Sequence, residues 1–224
     1  MQHRTVHDLM TRAVVRVHRD TGFKKIAQIL AEYDITALPV VDDDEHPVGV
    51  VSEADLLGKE AGHPDPAGLL PSREPRPGSR VPTEADTADE LMTSPPVVAR
   101  PEWNVVEAAR VMADKQVKRL PVVNEADRLV GILSRADLVR VFLRRDDAIK
   151  EEITRDVLER TLGLAASQLA VEVQEGCVTL RGEVTPVHLI AVIERLCQGV
   201  DGVVKVRSHL TGRPETASAR AGLP

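Results

Sequence analysis

Apolar positions along this chain alternate between helical and strand spacing. Phe23, Ile26, Ala27 and Leu30 fall at i, i+3, i+4 and i+7, as do Val105, Ala108, Ala109 and Met112, so each set marks one face of an amphipathic helix. Two short apolar runs follow each helix: Leu38–Val41 with Val48–Val51, and Leu120–Val123 with Leu129–Leu133. The turns between them are acidic or polar, Asp42-Asp43-Asp44-Glu45 and Asn124-Glu125-Ala126-Asp127. Shorter runs at Val14–Val17 and Val97–Ala99 precede the helices, behind short leading helices at His7–Met10 and Asp89–Met92. Ser52 and Ser134 open a final helix in each case. The resulting β-α-β-β-α pattern occurs twice at a constant offset of 82 residues, with no gap between residues 7–57 and 89–139. Leu9-Met10-Thr11 falls on Leu91-Met92-Thr93, and Leu38-Pro39-Val40-Val41 falls on Leu120-Pro121-Val122-Val123. Two copies of one supersecondary unit, each too small to bury a core alone, are expected to pack about a pseudo-two-fold axis, leaving a cleft that suits a ligand.

Beyond Leu138 the pattern changes. A helix from Ala136 runs past Val141, Phe142 and Leu143, and no Gly or Pro separates it from a second helical pattern at Ile149, Ile153 and Val157, flanked by Leu158 and Leu162. Strict alternation in Leu169–Val173 and Val178–Val184, interrupted at Glu175-Gly176, predicts a hairpin. Pro186 suits a helix start before Val187, Ile190, Ile193 and Leu196, and Gly199 and Gly202 precede a last strand over Val203–Leu210. The C-terminal unit is therefore α-β-β-α-β. The expected organisation is repeat 1 over 1–57, a Pro/Gly-rich linker over 58–87, repeat 2 over 88–145, the small unit over 146–212 and a frayed tail over 213–224. The fold class is α/β in the broad sense, or α+β.

Composition narrows the possibilities. In 224 residues the only aromatics are Phe23, Tyr33, Trp103 and Phe142, so the cores must be built from Val, Leu, Ile and Ala. A net charge of -6 argues against sequence-independent nucleic-acid binding, which needs an excess of Lys and Arg to neutralise phosphate. The charge is uneven: 6 basic and 10 acidic residues give -4 over 1–57, 10 and 8 give +2 over 88–145, and 7 and 11 give -4 over 146–212. No apolar run approaches the ~20 residues that span a bilayer. Met1–Asp8 has no apolar signal core, so a cytosolic protein is expected. Cys177 and Cys197 then read as reduced thiols. No Ser/His/Asp order, P-loop or Cys-x-x-Cys stands out, and His3 with His7 lacks further metal ligands.

The element Gly-h-h-Ser-x-x-Asp, where h is apolar, ends both repeats: Gly49-Val-Val-Ser52-Glu-Ala-Asp55 and Gly131-Ile-Leu-Ser134-Arg-Ala-Asp137. Ser followed three residues later by Asp at a helix start forms a capping box. The same carboxylate can also take both hydroxyls of a ribose beside the partial positive charge of a helix N-terminus. Repeat 2 carries Val117-Lys118-Arg119-Leu120-Pro121 where repeat 1 has Ile35-Thr36-Ala37-Leu38-Pro39. Lys118 and Arg119 read either as phosphate contacts or as a solvated rim.

The two repeats resemble the CBS domain pair, named for cystathionine β-synthase, through Leu-Met-Thr, h-x-x-Leu-Pro-Val-Val and Gly-h-h-Ser-x-x-Asp. The resemblance implies a non-enzymatic regulatory protein that binds AMP, ADP, ATP or S-adenosylmethionine. It places one site at Val97, Val98, Lys118, Arg119, Leu120, Pro121, Ser134 and Asp137 of repeat 2. A second falls at Val15, Leu38, Pro39, Ser52 and Asp55 of repeat 1, where Thr36-Ala37 supplies no cation. Residues Val171–Val184 and Gly199–Val206 resemble the BON domain, found in bacterial osmotic-stress and secreted proteins and associated with phospholipid attachment. A local charge of -4 without a run of Lys and Arg does not favour anionic lipid. An unknown protein partner of this domain and a homodimer formed through the CBS pair are expected, the latter from the apolar Leu56, Leu57, Leu138, Val141 and Phe142. The alternatives are a stress-linked adaptor whose CBS pair only dimerises and a peripheral phospholipid-associated protein.

Overall fold

The computed structural model describes residues 4–60, 85–165 and 168–212; most of the expected linker and the tail from 213 lie outside them. The chain divides into two compact units: Thr5–Arg135, and the part from Ala136 onward, with which Arg4 is grouped.

In the first unit α1 (Val6–Leu9) leads to β1 (Val17–His18), α2 (Phe23–Glu32), β2 (Ala37–Val41), β3 (Pro47–Ser52) and α3 (Glu53–Glu60). The second repeat supplies α4 (Ala88–Leu91), α5 (Val105–Asp114), β4 (Arg119–Val123), β5 (Leu129–Ser134) and the start of α6 (Arg135–Val139). β2 and β3 pair antiparallel with an irregularity between Val40 and Val41, and β4 and β5 repeat this with one between Val122 and Val123. The expected first strand is mostly unpaired in both copies. Only Val17 and His18 pair with β2, and Ala99 alone bridges Val122. Left-handed backbone recurs at the same offset as the sequence, at Asp34 and Gln116 (φ 51° and 55°) and at Glu45 and Asp127 (φ 68° and 56°).

The repeats are not merely adjacent, because they exchange their leading helices. Val6 N donates to Trp103 O and Thr11 N to Ile132 O, so α1 belongs structurally to repeat 2. Reciprocally, Ala88 N donates to Thr21 O and Thr93 N to Val50 O, and Ala88 and Leu91 of α4 are buried in the first repeat's core beside Ile26, Leu38 and Val51. The two glycines of the shared motif make the exchange possible. A Cβ on Gly49 would lie 2.7 Å from Met92 Cγ, and one on Gly131 would lie 3.0 Å from Met10 Cγ.

The second unit continues from α6 through a 3₁₀ turn (Arg140–Leu143). The uninterrupted helix expected here does not form. Arg144 and Arg145 are extended, with ψ of 140° and 139°, before α7 (Asp146–Glu152) begins. Tertiary bonds hold this break: Arg144 pairs with Glu152 at 2.8 Å and donates to Asp201 O at 2.9 Å. The Asp146 carboxylate accepts from the backbone N–H groups of Glu175 and Gly176 at 2.7 and 2.9 Å. α7 runs on into a wider π-type segment (Ile153–Thr161), then β6 (Leu169–Gln174), β7 (Cys177–Val184), α8 (Leu189–Gln198) and β8 (Lys205–Gly212). α8 opens three residues after Pro186, following a turn in which Leu189 N donates to Pro186 O. The sheet order is β6-β7-β8, antiparallel then parallel, with α8 as the crossover. Glu175 and Gly176, with φ of 48° and 70°, form the two-residue turn that suits a twisted hairpin. One core joins Ile149, Ile153, Val157, Val178, Leu180 and Ile193. Both cysteines are free thiols, and burial pushes Cys197 up to about 12.

Candidate functional site

Equivalent ends of the two repeats meet in the first unit around a pocket of about 560 Å³. Thr36, Ala37, Val50, Ser52 and Asp55 line it from repeat 1, and Pro96, Val97, Gln116, Lys118 and Arg119 from repeat 2. The helix that follows each strand pair pins the loop before the strand. Glu53 N donates to Thr36 O and Arg135 N to Lys118 O, both at 3.1 Å. The Arg135 side chain adds a bond from Nε to Val117 O at 3.1 Å. Lys118 and Arg119 are therefore held by backbone geometry at the start of β4.

Half of the expected capping box is present at α3. Asp55 Oδ2 accepts from Ser52 N at 2.8 Å and from Ser52 Oγ at 2.6 Å, while Oδ1 has no further partner among the described residues. Across the pocket Arg119 donates to Thr36 Oγ1 at 2.5 Å, linking the two repeats. Burial lowers the Arg119 guanidinium from its ordinary value, and nearby Glu53 opposes that shift. The guanidinium still stays charged at neutral pH. Lys118 is exposed at the rim. The arrangement offers a carboxylate at one wall, two cations at another, and small apolar surfaces at Ala37, Val50, Pro96 and Val97 between them.

The structure regroups the residues that the sequence assigned repeat by repeat. Lys118 and Arg119 share a pocket with Ser52 and Asp55, not with Ser134, and Val97 joins them. Leu38 and Leu120 are fully buried, and with Pro39 and Pro121 they form the interior of β2 and β4 instead of lining the pocket. Val15, Val98 and Ser134 are partly buried but do not line it. Asp137 belongs to the unit that begins at Ala136, is 8% exposed, and accepts from Arg140 Nη1 at 3.2 Å. Thr36 supplies no cation to its own repeat, yet it is the residue that Arg119 bonds. Gln116, Pro95 and Pro96 also line the pocket, beyond the residues assigned from the sequence. The offset itself carried the missing signal. Thr36 aligns with Lys118, and in a two-fold pair equivalent positions face each other across the axis.

The family model for the CBS domain matches residues 6–62 and 88–144. This chain belongs to the CBS-domain family. A BON domain follows its CBS pair, at residues 145–214. Among curated proteins, the chloroplastic CBS domain-containing protein CBSX2 of Arabidopsis thaliana is 33% identical over 152 residues, covering 62% of this chain. The match extends over 64% of the length of CBSX2 itself. The crystal structure of CBSX2 superposes with a TM-score of 0.50 at 33% identity, covering 63% of this chain and 96% of that one. CBSX2 has also been crystallised in complex with AMP. The CBS domain pair of protein MJ0100, in complex with 5′-methylthioadenosine and S-adenosyl-L-methionine, shares the fold at a TM-score of 0.51 and 23% identity, covering 63% of this chain and 97% of that one. CBS pairs are regulatory domains. No helix among the described residues is long and apolar enough to cross a membrane.

Proposed function

We propose that the CBS pair binds an adenine nucleotide in the pocket between its repeats and that the BON domain passes the bound state to a partner. The observation that carries this reading is the convergence of Asp55, Lys118 and Arg119 on one pocket of about 560 Å³. Asp55 Oδ1 would accept from the ribose hydroxyls, Lys118 and Arg119 would meet the phosphates, and the base would lie against Val97, Pro96 and Ala37. Charge-assisted bonds to phosphate suit Arg119 in particular, since its planar fork can engage two oxygens. Binding would draw Arg119 from Thr36 toward phosphate, so occupancy would alter a hydrogen bond that joins the repeats. AMP in crystals of CBSX2 supports the ligand class. The protein is read as a cytosolic regulator and not an enzyme.

Homodimerisation belongs to the same proposal, on a revised surface. Leu56, Leu138 and Val141 are already covered within the chain at 8%, 8% and 3% exposure, whereas Val139, Phe142 and Leu143, within one short segment, stand at 56% or more. Isothermal calorimetry with adenosine, AMP and ATP tests the nucleotide reading. Affinity should rise with phosphate number in the wild type and stay flat in Lys118→Ala/Arg119→Ala. No heat with any of the three at millimolar concentration would leave the CBS pair as a dimerisation disk only.

A further inference from the structure

The BON sheet presents two faces of opposite character. Val178 and Leu180 of β7 point into the core, with Val206 and Ser208 of β8 at the paired positions of the same face. The other face is open, and on β8 it carries Lys205, Arg207 and His209, all exposed, at alternate positions. A strand rise of about 3.4 Å per residue spaces these side chains by roughly 7 Å along one line. Among the described residues none of the three has an ion-pair partner, whereas Arg181 on the neighbouring strand is paired with Glu172 at 2.6 Å.

β8 is also the last strand of its sheet, paired only with β7 among the described residues. Its outward backbone groups therefore have no strand to bond. Beside this edge lies an open groove of about 570 Å³ bounded by Ala191, Glu194, Arg195 and Gln198 of α8 and by the inward-facing Val206 and Ser208. An added strand would thus find backbone partners at the edge, room for its inward side chains over the groove, and Lys205 and Arg207 beside the His209 ring for its outward ones.

We infer that β8 takes an extended peptide segment of a partner protein, carrying carboxylates at alternate positions, as a fourth strand of the BON sheet. Main-chain bonds supply affinity in such strand addition, and alternate side chains supply specificity. A second copy of β8 is a poor occupant, because antiparallel pairing would set Lys205 and Arg207 against like charges, the usual device by which edge strands avoid self-association. A membrane surface also fits poorly. The cations on this face are Lys205 and Arg207 with Arg181, which is already paired to Glu172, and Glu183 lies on the same face, while anionic lipid attracts clusters of about 4–8 cations. The inference uses the proposed relay only for its biological purpose, so it is tested without nucleotide.

The experiment titrates the full chain with a fluorescent eight-residue peptide alternating Glu with Val or Thr. Controls are a peptide of the same composition with its Glu residues in one block, two versions N-methylated at odd or at even positions, and phosphatidylglycerol vesicles. The alternating peptide should bind and slow amide exchange across β8, and one of the two N-methylated versions should fail. Lys205→Glu/Arg207→Glu, which alters solvent-facing positions only, should weaken binding about tenfold. Unchanged exchange in β8 at the highest peptide concentration would overturn the inference. Equal binding of the block peptide, or cation-dependent binding to the vesicles in place of the peptide, would do the same.

Discussion

At the residue scale, Asp55 and Gly49 show how one motif serves two ends. Asp55→Ala removes a charged acceptor from the proposed ribose contact and should weaken AMP about tenfold to a hundredfold by calorimetry, corresponding to roughly 1.5–3 kcal/mol. Ser134 lies outside the pocket, so Ser134→Ala should leave affinity within about twofold. Gly49→Ala acts differently. Its methyl would collide with the Met92 side chain inserted from the other repeat and should cost about 1–3 kcal/mol in urea unfolding. In the double variant with Met92→Ala the two costs should fall well short of their sum, because the smaller side chain makes room for the methyl. The sequence makes Ser52, Asp55, Lys118 and Arg119 legible as polar candidates and assigns them to separate repeats, whereas all four line one pocket. A linear repeat shows which residues are equivalent, while this pocket draws non-equivalent sets from the two copies, Ser52 and Asp55 from one and Lys118 and Arg119 from the other. Lys205, Arg207 and His209 were hidden for a related reason: they are not contiguous, and only strand pleating brings them onto one line.

At the element scale, periodicity located nearly every helix and strand, and the errors fall where tertiary bonds override local signals. Nothing in Leu143-Arg144-Arg145-Asp146 looks like a helix break. It exists because Arg144 and Asp146 have better partners elsewhere, on Glu152, Asp201, Glu175 and Gly176. The short leading helices depend on capping boxes. Hydrogen bonds from the Thr5 backbone and hydroxyl lower the Asp8 carboxyl below its ordinary value of 3.8. Bonds from the Asp86 and Thr87 backbone likewise lower Glu90 below 4.5. A carboxylate depressed on folding adds stability that is complete above its ordinary value and is lost as pH falls through the folded one. The double variant Asp8→Ala/Glu90→Ala should therefore melt below the wild type at pH 7, and the gap should narrow as the pH falls below these ordinary values. A gap that persists unchanged at pH 3 would show that the charged form of the boxes contributes nothing.

At the scale of the whole molecule, a nucleotide at ~100 times its dissociation constant should add about 2.7 kcal/mol, raising the melting midpoint by roughly 5–10 °C. Light scattering at tens of micromolar should give twice the chain mass of 24.4 kDa, falling to one chain in Phe142→Asp/Leu143→Asp. A wild type that scatters as a monomer would remove the dimer from the proposal. The exchange of leading helices has a consequence for how the protein is made. Met10 packs on Gly131, so the amino end of the chain cannot reach its final place until the ribosome has delivered the far end of the second repeat. At about 5–20 residues per second that delay amounts to several seconds or more, during which α1 has no surface to rest on. A nascent chain stalled just after β3 should accordingly be open to protease along its whole length. One released past β5 should close both repeats in a single event, because each then receives from the other the helix it lacks.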